Sequence, residues 1–211
     1  MCNMLINNVL MKFSIFFIFA ILFFASCGTR RNATIQDPAT FDEGVVINGI
    51  RWATRNVDAP GTFAESPESF GMFFQWNKRK GWNAIDKGVE DWAITISEST
   101  EWEGINDPCP KGWRVPTAEE LRSLMNASSR WTRQNRVEGR LFGTAPNQIF
   151  LPAAGFRSGV TGALMSVGGL GFYWSSTDNR HYAWGLRFGN GIINVHWHWR
   201  SPGYNVRCVA K

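Results

Sequence analysis

The residues best suited to chemistry lie near the C-terminus, in Gly191-Ile192-Ile193-Asn194-Val195-His196-Trp197-His198-Trp199-Arg200. Strict alternation reads as a β-strand, with Ile193, Val195, Trp197 and Trp199 on one face and Asn194, His196, His198 and Arg200 on the other. Histidines at i and i+2 point the same way and could begin a metal site, with His181 the only other His in the chain. Zinc usually takes three or four ligands, and no acid or thiol is evident nearby, so no metal or other cofactor is assigned. Two readings remain: a half-buried strand with a polar outer face, and a ligand-binding face. Aromatic, His and Asn side chains supply contact area and adaptable hydrogen bonds at low entropic cost. On the second reading the contacts fall on Asn179, His181, Tyr182, Trp184, Asn190, Asn194, His196, His198 and Tyr204, and the ligand is a glycan or a protein.

Catalytic arrangements are harder to assemble. Ser175, Ser176, Asp178 and His181 are close in sequence, but no Gly-x-Ser-x-Gly elbow surrounds the serines. Glu119 and Glu120 read as acids at a helix N-terminus, not as a glycosidase pair. The expectation is a domain without enzymatic activity.

The elements that must hold this face start at Cys109-Pro110-Lys111-Gly112-Trp113-Arg114-Val115-Pro116-Thr117-Ala118-Glu119-Glu120-Leu121. Two prolines restrict the backbone ahead of a helix over 117–127. Thr117 as N-cap and Glu120 at N3 form a capping box, while Leu121, Leu124 and Met125 give one apolar face.

The N-terminus carries an apolar run from Phe13 to Phe24, too short to span a bilayer, closed by Ala25-Ser26-Cys27-Gly28. Small residues before a Cys resemble a bacterial lipobox, which implies a signal peptide over 1–26 and acylation of Cys27. Met11-Lys12 is the better start, so Cys2 is not expected in the natural product. The protein is expected on the outer membrane, held through its lipid, with periplasmic or surface orientation open. A polar tether completes 27–44, and the folded domain occupies 45–211. Cys109 and Cys208 then remain as an even pair in an oxidising compartment, and neither has a His within several residues. A structural disulfide is expected.

The net charge of +5 is scattered, and the basic residues of Asn77-Lys78-Arg79-Lys80 form only a short cluster, so nucleic acid is excluded as a partner. Trp 11, Phe 16 and Gly 21 suit short strands, tight turns and an aromatic core. Val45 to Ala53 reads as a hairpin about Asn48-Gly49, and Phe70 to Trp76 as a central strand. Residues 77–106 form an irregular excursion. Beyond the helix, Trp131 to Phe142 bends at Gly139, and short strands follow at 148–152, 173–174, 183–188, 192–199 and 205–209. One main helix among many short strands gives an α+β class, with long loops.

Six pieces in order resemble the Fibrobacter succinogenes major paralogous domain: Trp52 to Val57, Gly71 to Trp76, Asp107 to Thr117, Leu151 to Arg157, Gly171 to Thr177, and Val206 to Val209. The resemblance implies a C-type-lectin-like fold, a small twisted antiparallel sheet with its first and last strands adjacent. The calcium triplets of such lectins have no counterpart, since Ala145-Pro146-Asn147 lacks the acid and Trp174 precedes Ser175-Ser176. Formylglycine-generating enzymes share the fold but depend on active-site cysteines, which here are committed elsewhere. The segment from Trp174 to Arg207 also resembles the variable region of retroelement-diversified proteins, in which asparagine codons are mutated at adenines. The Asn, His and Tyr positions named above are types reachable in that way, whereas Trp184, Trp197 and Trp199 are not and read as framework. A structural role, as a tip or accessory subunit of a surface fimbria, is the alternative to a binding domain.

Overall fold

The computed structural model describes residues 36–85, 89, 92–93 and 96–211. The expected signal peptide, Cys27 and most of the tether lie outside the described residues. The hairpin at Asn48-Gly49 is present: Val45–Ile47 (β1) pairs with Ile50–Trp52 (β2), and the two turn residues have φ of 50° and 80°, as a type I′ turn requires. Phe73–Phe74 (β3) and Gly81–Trp82 (β4) make a short ribbon, so the long strand expected from Phe70 to Trp76 shrinks to two residues. Trp113–Arg114 (β5) leads into the helix Ala118–Met125 (α1). Ser129–Gln134 (β6), Val137–Thr144 (β7) and Asn147–Pro152 (β8) form one meander. Phe156–Arg157 (β9) and Leu164–Met165 (β10) pair, and Gly171–Asn179 (β11), Tyr182–Phe188 (β12) and Ile193–Trp199 (β13) form a second meander. The last strand is Val209–Ala210 (β14). Small antiparallel sheets with one α-helix among the described residues give the α+β class.

The last strand lies inside the first sheet, in the order β1-β2-β14-β5, with Val209 opposite Trp52 on one side and Arg114 on the other. The last strand therefore lies beside the second strand of the first hairpin and not beside the first, from which β2 separates it. Beside this junction Cys109 and Cys208, 99 positions apart in sequence, are bonded with their Cα atoms 6.1 Å apart. One residue earlier, the wholly buried Arg207 donates to Asn56 Oδ1 at 2.8 and 3.0 Å, to the Ala53 carbonyl at 3.2 Å and to the Phe150 carbonyl at 3.0 Å. The guanidinium thus ties the segment after β2 to β8. Burial lowers its pKa to about 10, so it stays charged at neutral pH.

The helix starts where its sequence says it should. Thr117 Oγ1 accepts from the Glu120 amide at 3.2 Å, and Glu120 Oε2 accepts from the Thr117 amide at 2.7 Å, closing the capping box. Arg114 grips both Glu120 oxygens at 2.6 and 2.8 Å. Leu121 and Leu124 are buried, as the apolar spacing requires.

Two apolar clusters lie on opposite sides of the β11–β12 pair. Alternation along β11 sends Phe172 and Trp174 to one cluster and Tyr173 to the other. Ala183 of β12 joins the first, and Leu186 and Phe188 the second.

Two local expectations are corrected. Gly139 does not bend the chain: it sits inside β7, where a Cβ would meet the Leu151 carbonyl at 2.4 Å and the Phe150 ring at 2.5 Å. The reversal comes earlier, at Asn135-Arg136, both with positive φ (45° and 68°). Residues 37–44 also belong to the fold and not to the tether. Asp42 is buried, accepts from the Thr54 amide and hydroxyl, and pairs with Arg55 at 3.3 Å.

Joining residues 99 apart restricts the unfolded chain by about 4.7 kcal/mol at most in the chain-entropy account. Cys109→Ser/Cys208→Ser is accordingly expected to keep the fold but lower its unfolding free energy, measured by urea titration, by up to about that value. An unchanged unfolding free energy would show that the bond adds no stability.

Candidate functional site

Register along β12 and β13 fixes which side chains share a face. Tyr182 lies opposite Trp199, Trp184 opposite Trp197, and Leu186 opposite Val195. These form one side of the sheet, the side on which α1 lies. Arg122 of α1 stacks over the Trp184 ring at 4.5 Å. Trp197 and Trp199 stand 41% and 56% exposed, and both rings lean on Tyr182 at centroid distances of 4.5 and 4.6 Å. The result is an aromatic patch at the end of an edge strand.

The opposite side carries Ala183, Gly185 and Arg187 of β12 and Asn194, His196 and His198 of β13. The sequence reading had this row facing solvent throughout, and the structure corrects that. Arg200, next in the row, is 1% exposed: it donates to the carbonyls of Ser97, Ser99 and Tyr182 at 2.6–2.9 Å and lies 4.0 Å from the Trp76 ring centroid. It pins the segment around 97–99 to the sheet. His198 is mostly buried against Phe172, Trp174 and Tyr204, with the Tyr204 hydroxyl 3.3 Å from Nδ1. Tyr204 is itself 4% exposed and stacked on Trp174 at 4.2 Å, so it is a core residue and not a surface contact.

The nine residues proposed from sequence therefore do not form one surface. Tyr182 and half-buried Trp184 border the aromatic patch, and Asn194, His196 and His198 line the opposite side. Asn179 and exposed His181 sit at the β11–β12 turn, where Arg180 and His181 border a depression of about 380 Å³ completed by Ile96, Ser97, Glu98 and Thr100. Asn190 belongs to the turn at the other end of β12, whose carbonyls at 189 and 190 are held by buried Arg140. Trp197 and Trp199, read from sequence as framework, are the most exposed aromatics of the strand. The legible signal was two tryptophans at the end of a strand that no later strand covers.

Neither serine near His181 has a free hydroxyl. Ser175 Oγ donates to the Trp184 carbonyl at 2.7 Å and Ser176 Oγ to the Pro116 carbonyl at 3.3 Å. Among the described residues no group of three or more His, Cys, Asp or Glu is placed to hold a metal ion, and no helix is long and apolar enough to cross a membrane.

This arrangement can be set beside known proteins. The family model of the Lcl C-terminal domain matches residues 48–210, from the turn of the first hairpin to the last strand. The chain belongs to that family. No curated protein and no solved structure matches it. The match to the Lcl C-terminal domain covers both faces of the β11–β13 meander, as well as the disulfide and the Arg207 network that support it.

In this Lcl C-terminal domain, burial, together with the neighbouring His196 and Arg187, pushes the His198 pKa from 6.5 down to about 4. Of the groups around it, Arg187 and His196 are cationic or can become so, and Tyr204 is kept neutral by its own burial. A base depressed in this way contributes its full stability above its unfolded pKa and loses it as pH falls through the folded value. Stability is expected to drop between about pH 6.5 and 4, and His198→Gln to flatten that slope in urea titrations.

Proposed function

We propose that this is a non-catalytic recognition domain, lipid-anchored through Cys27 at the outer membrane, whose glycan or protein ligand docks on the Tyr182–Trp197–Trp199 patch. The exposure of two adjacent tryptophans, both resting on one tyrosine, carries this reading. Burying a large aromatic side chain stabilises by about 1.5–3 kcal/mol, so leaving two in water is a cost that a partner would remove. Tryptophan and tyrosine are also the residues most enriched among binding hot spots. The proposal includes a C-type-lectin-like fold. A last strand beside the first hairpin, a disulfide near the C-terminus, one α-helix among the described residues and long irregular segments all agree with it.

The resemblance to the Fibrobacter succinogenes major paralogous domain belongs to the same proposal, and its motif residues support a framework role. Trp52 is fully buried, Asn56 holds Arg207, Trp76 Nε1 donates to the Ser175 carbonyl, and Trp174 Nε1 donates to the Phe74 carbonyl. Such motifs specify the scaffold, and the ligand choice is left to residues between them. Catalysis is disfavoured by the engagement of both serine hydroxyls with main-chain carbonyls.

Glycan and protein arrays probed with wild type and with Trp197→Ala/Trp199→Ala test the patch. The double variant is expected to melt within a few degrees of wild type and to lose at least about tenfold in binding to whatever wild type retains. Equal binding by both would remove the patch from consideration. For the anchor, Cys27→Ser is expected to abolish incorporation of labelled palmitate, and persistent labelling would refute lipidation at that residue.

A further inference from the structure

β13 ends its sheet, and its free edge differs from the other edges among the described strands. The outer strands of the first sheet and both two-stranded ribbons are three residues long or shorter. β6 carries Arg130 and Arg133, β8 ends in Pro152, and β11 is bulged between Trp174 and Asp178 and bridged by Asn205. Short length, charge, proline and bulges are the devices that keep sheet edges from pairing with other chains. β13 has none of them. Its seven residues run in unbroken register with β12 and include no proline and no Lys, Arg, Asp or Glu.

Register fixes which main-chain groups face outward. The Gly189 amide donates to the Ile192 carbonyl at 2.8 Å, so the pair next to the turn is a hydrogen-bonded one. Alternation then makes Arg187–Asn194, Gly185–His196 and Ala183–His198 hydrogen-bonded pairs, and turns the N–H and C=O groups of Ile193, Val195, Trp197 and Trp199 away from β12. The Trp184 carbonyl agrees with this, since it accepts from Ser175 Oγ of β11 and so points away from Trp197. Among the described residues no strand or bridge meets the outer row. The Trp197 carbonyl takes a bond from the adjacent, exposed His196 Nδ1 at 2.7 Å, which leaves its second lone pair free.

We propose that β13 pairs antiparallel with β13 of a second copy, about a two-fold axis at His196. This register uses the whole strand and sets outward main-chain groups against outward main-chain groups. Trp197 lies beside the partner's Val195 and Trp199 beside the partner's Ile193, aromatic and β-branched pairs of the favourable kind. On the other face Asn194 meets the partner's His198. Identical strands can pair in this way because no fixed like charges come together. The cover over the strand is complementary too. Ile193 and Val195 pack on the cluster that contains Leu121 and Leu124 of α1, whereas Trp197 and Trp199 are bare, so the covered end of each strand runs beside the bare end of the other. The contact is isologous and closes at two copies. Two three-stranded sheets become one, with both aromatic patches on the same side. The pairing rests on main-chain groups and stands whether or not a ligand uses the patch.

Sedimentation of residues 28–211, which hold every described element, tests the pairing over about 1–300 µM, the range in which weak contacts populate a dimer. A reversible monomer–dimer equilibrium without larger species is expected. Val195→Pro is expected to weaken the dimer by at least about tenfold yet fold, because the amide it removes faces away from β12. Should Val195→Pro fail to fold, a charge swap decides. His196→Lys and His196→Glu are each expected to self-associate several-fold more weakly than wild type and, when mixed, to recover a heterodimer, since position 196 faces itself across the axis. Hydrogen exchange at the Val195 and Trp197 amides is expected to slow as protein concentration rises. The pairing is overturned if the chain stays monomeric throughout, if larger assemblies form, or if folded Val195→Pro dimerises like wild type. It is equally overturned if mixing the two charged variants restores nothing, or if the Val195 and Trp197 amides exchange equally fast in monomer and dimer.

Discussion

A charged guanidinium buried without a carboxylate in contact is the constraint that the rest of the fold answers to. Arg207 reaches Ala53 and Asn56 in the segment after β2 and Phe150 in β8, two places far apart in sequence. Removing such a group from water is expensive, and only complete engagement of its donors offsets the cost. Those acceptors come together only if β14 is threaded between β2 and β5 and β8 lies alongside. The next residue is Cys208, whose bond to Cys109 fixes the same junction covalently. Arg157 and Arg200 are also buried and donate to main-chain carbonyls such as Gly162, Ser97 and Ser99, Arg200 with the Asp178 carboxylate 3.7 Å away in addition. Irregular segments that lack a ladder of their own are thereby given partners.

The β11–β13 meander uses this frame unevenly. Near β11 both of its faces are covered, by Phe172 and Trp174 on one side and Tyr173 on the other. At the Trp197–Trp199 end of β13 the cover is incomplete, because no strand lies beyond it. The same alternation that fills the cores at one edge therefore presents aromatic rings on one face and polar side chains on the other at the free edge.

Local signals made much of this readable in the chain. Asn48-Gly49 demanded a type I′ turn, Thr117 and Glu120 a capped helix, and the even count of cysteines a bond between Cys109 and Cys208. The alternation in β13 correctly sorted its side chains into two faces, but it could not say which face was covered. That depends on where α1 and the 97–99 segment lie, which no local pattern records. Hence His198 and Arg200 went inward and Trp197 and Trp199 outward, against the expectation from polarity. Tyr204 failed for the same reason, since its burial comes from Trp174, thirty residues earlier. The Asn135-Arg136 turn was hidden because arginine rarely adopts positive φ.

The Arg207 junction and the meander are separate stretches of chain, and the meander is continuous from 171 to 199. None of the outward side chains of Tyr182, Trp197 or Trp199 contributes to either apolar cluster. The exposed aromatic patch is thus written as an exchangeable cassette. Its lettering can be altered at the free edge without disturbing the knot that keeps the scaffold closed.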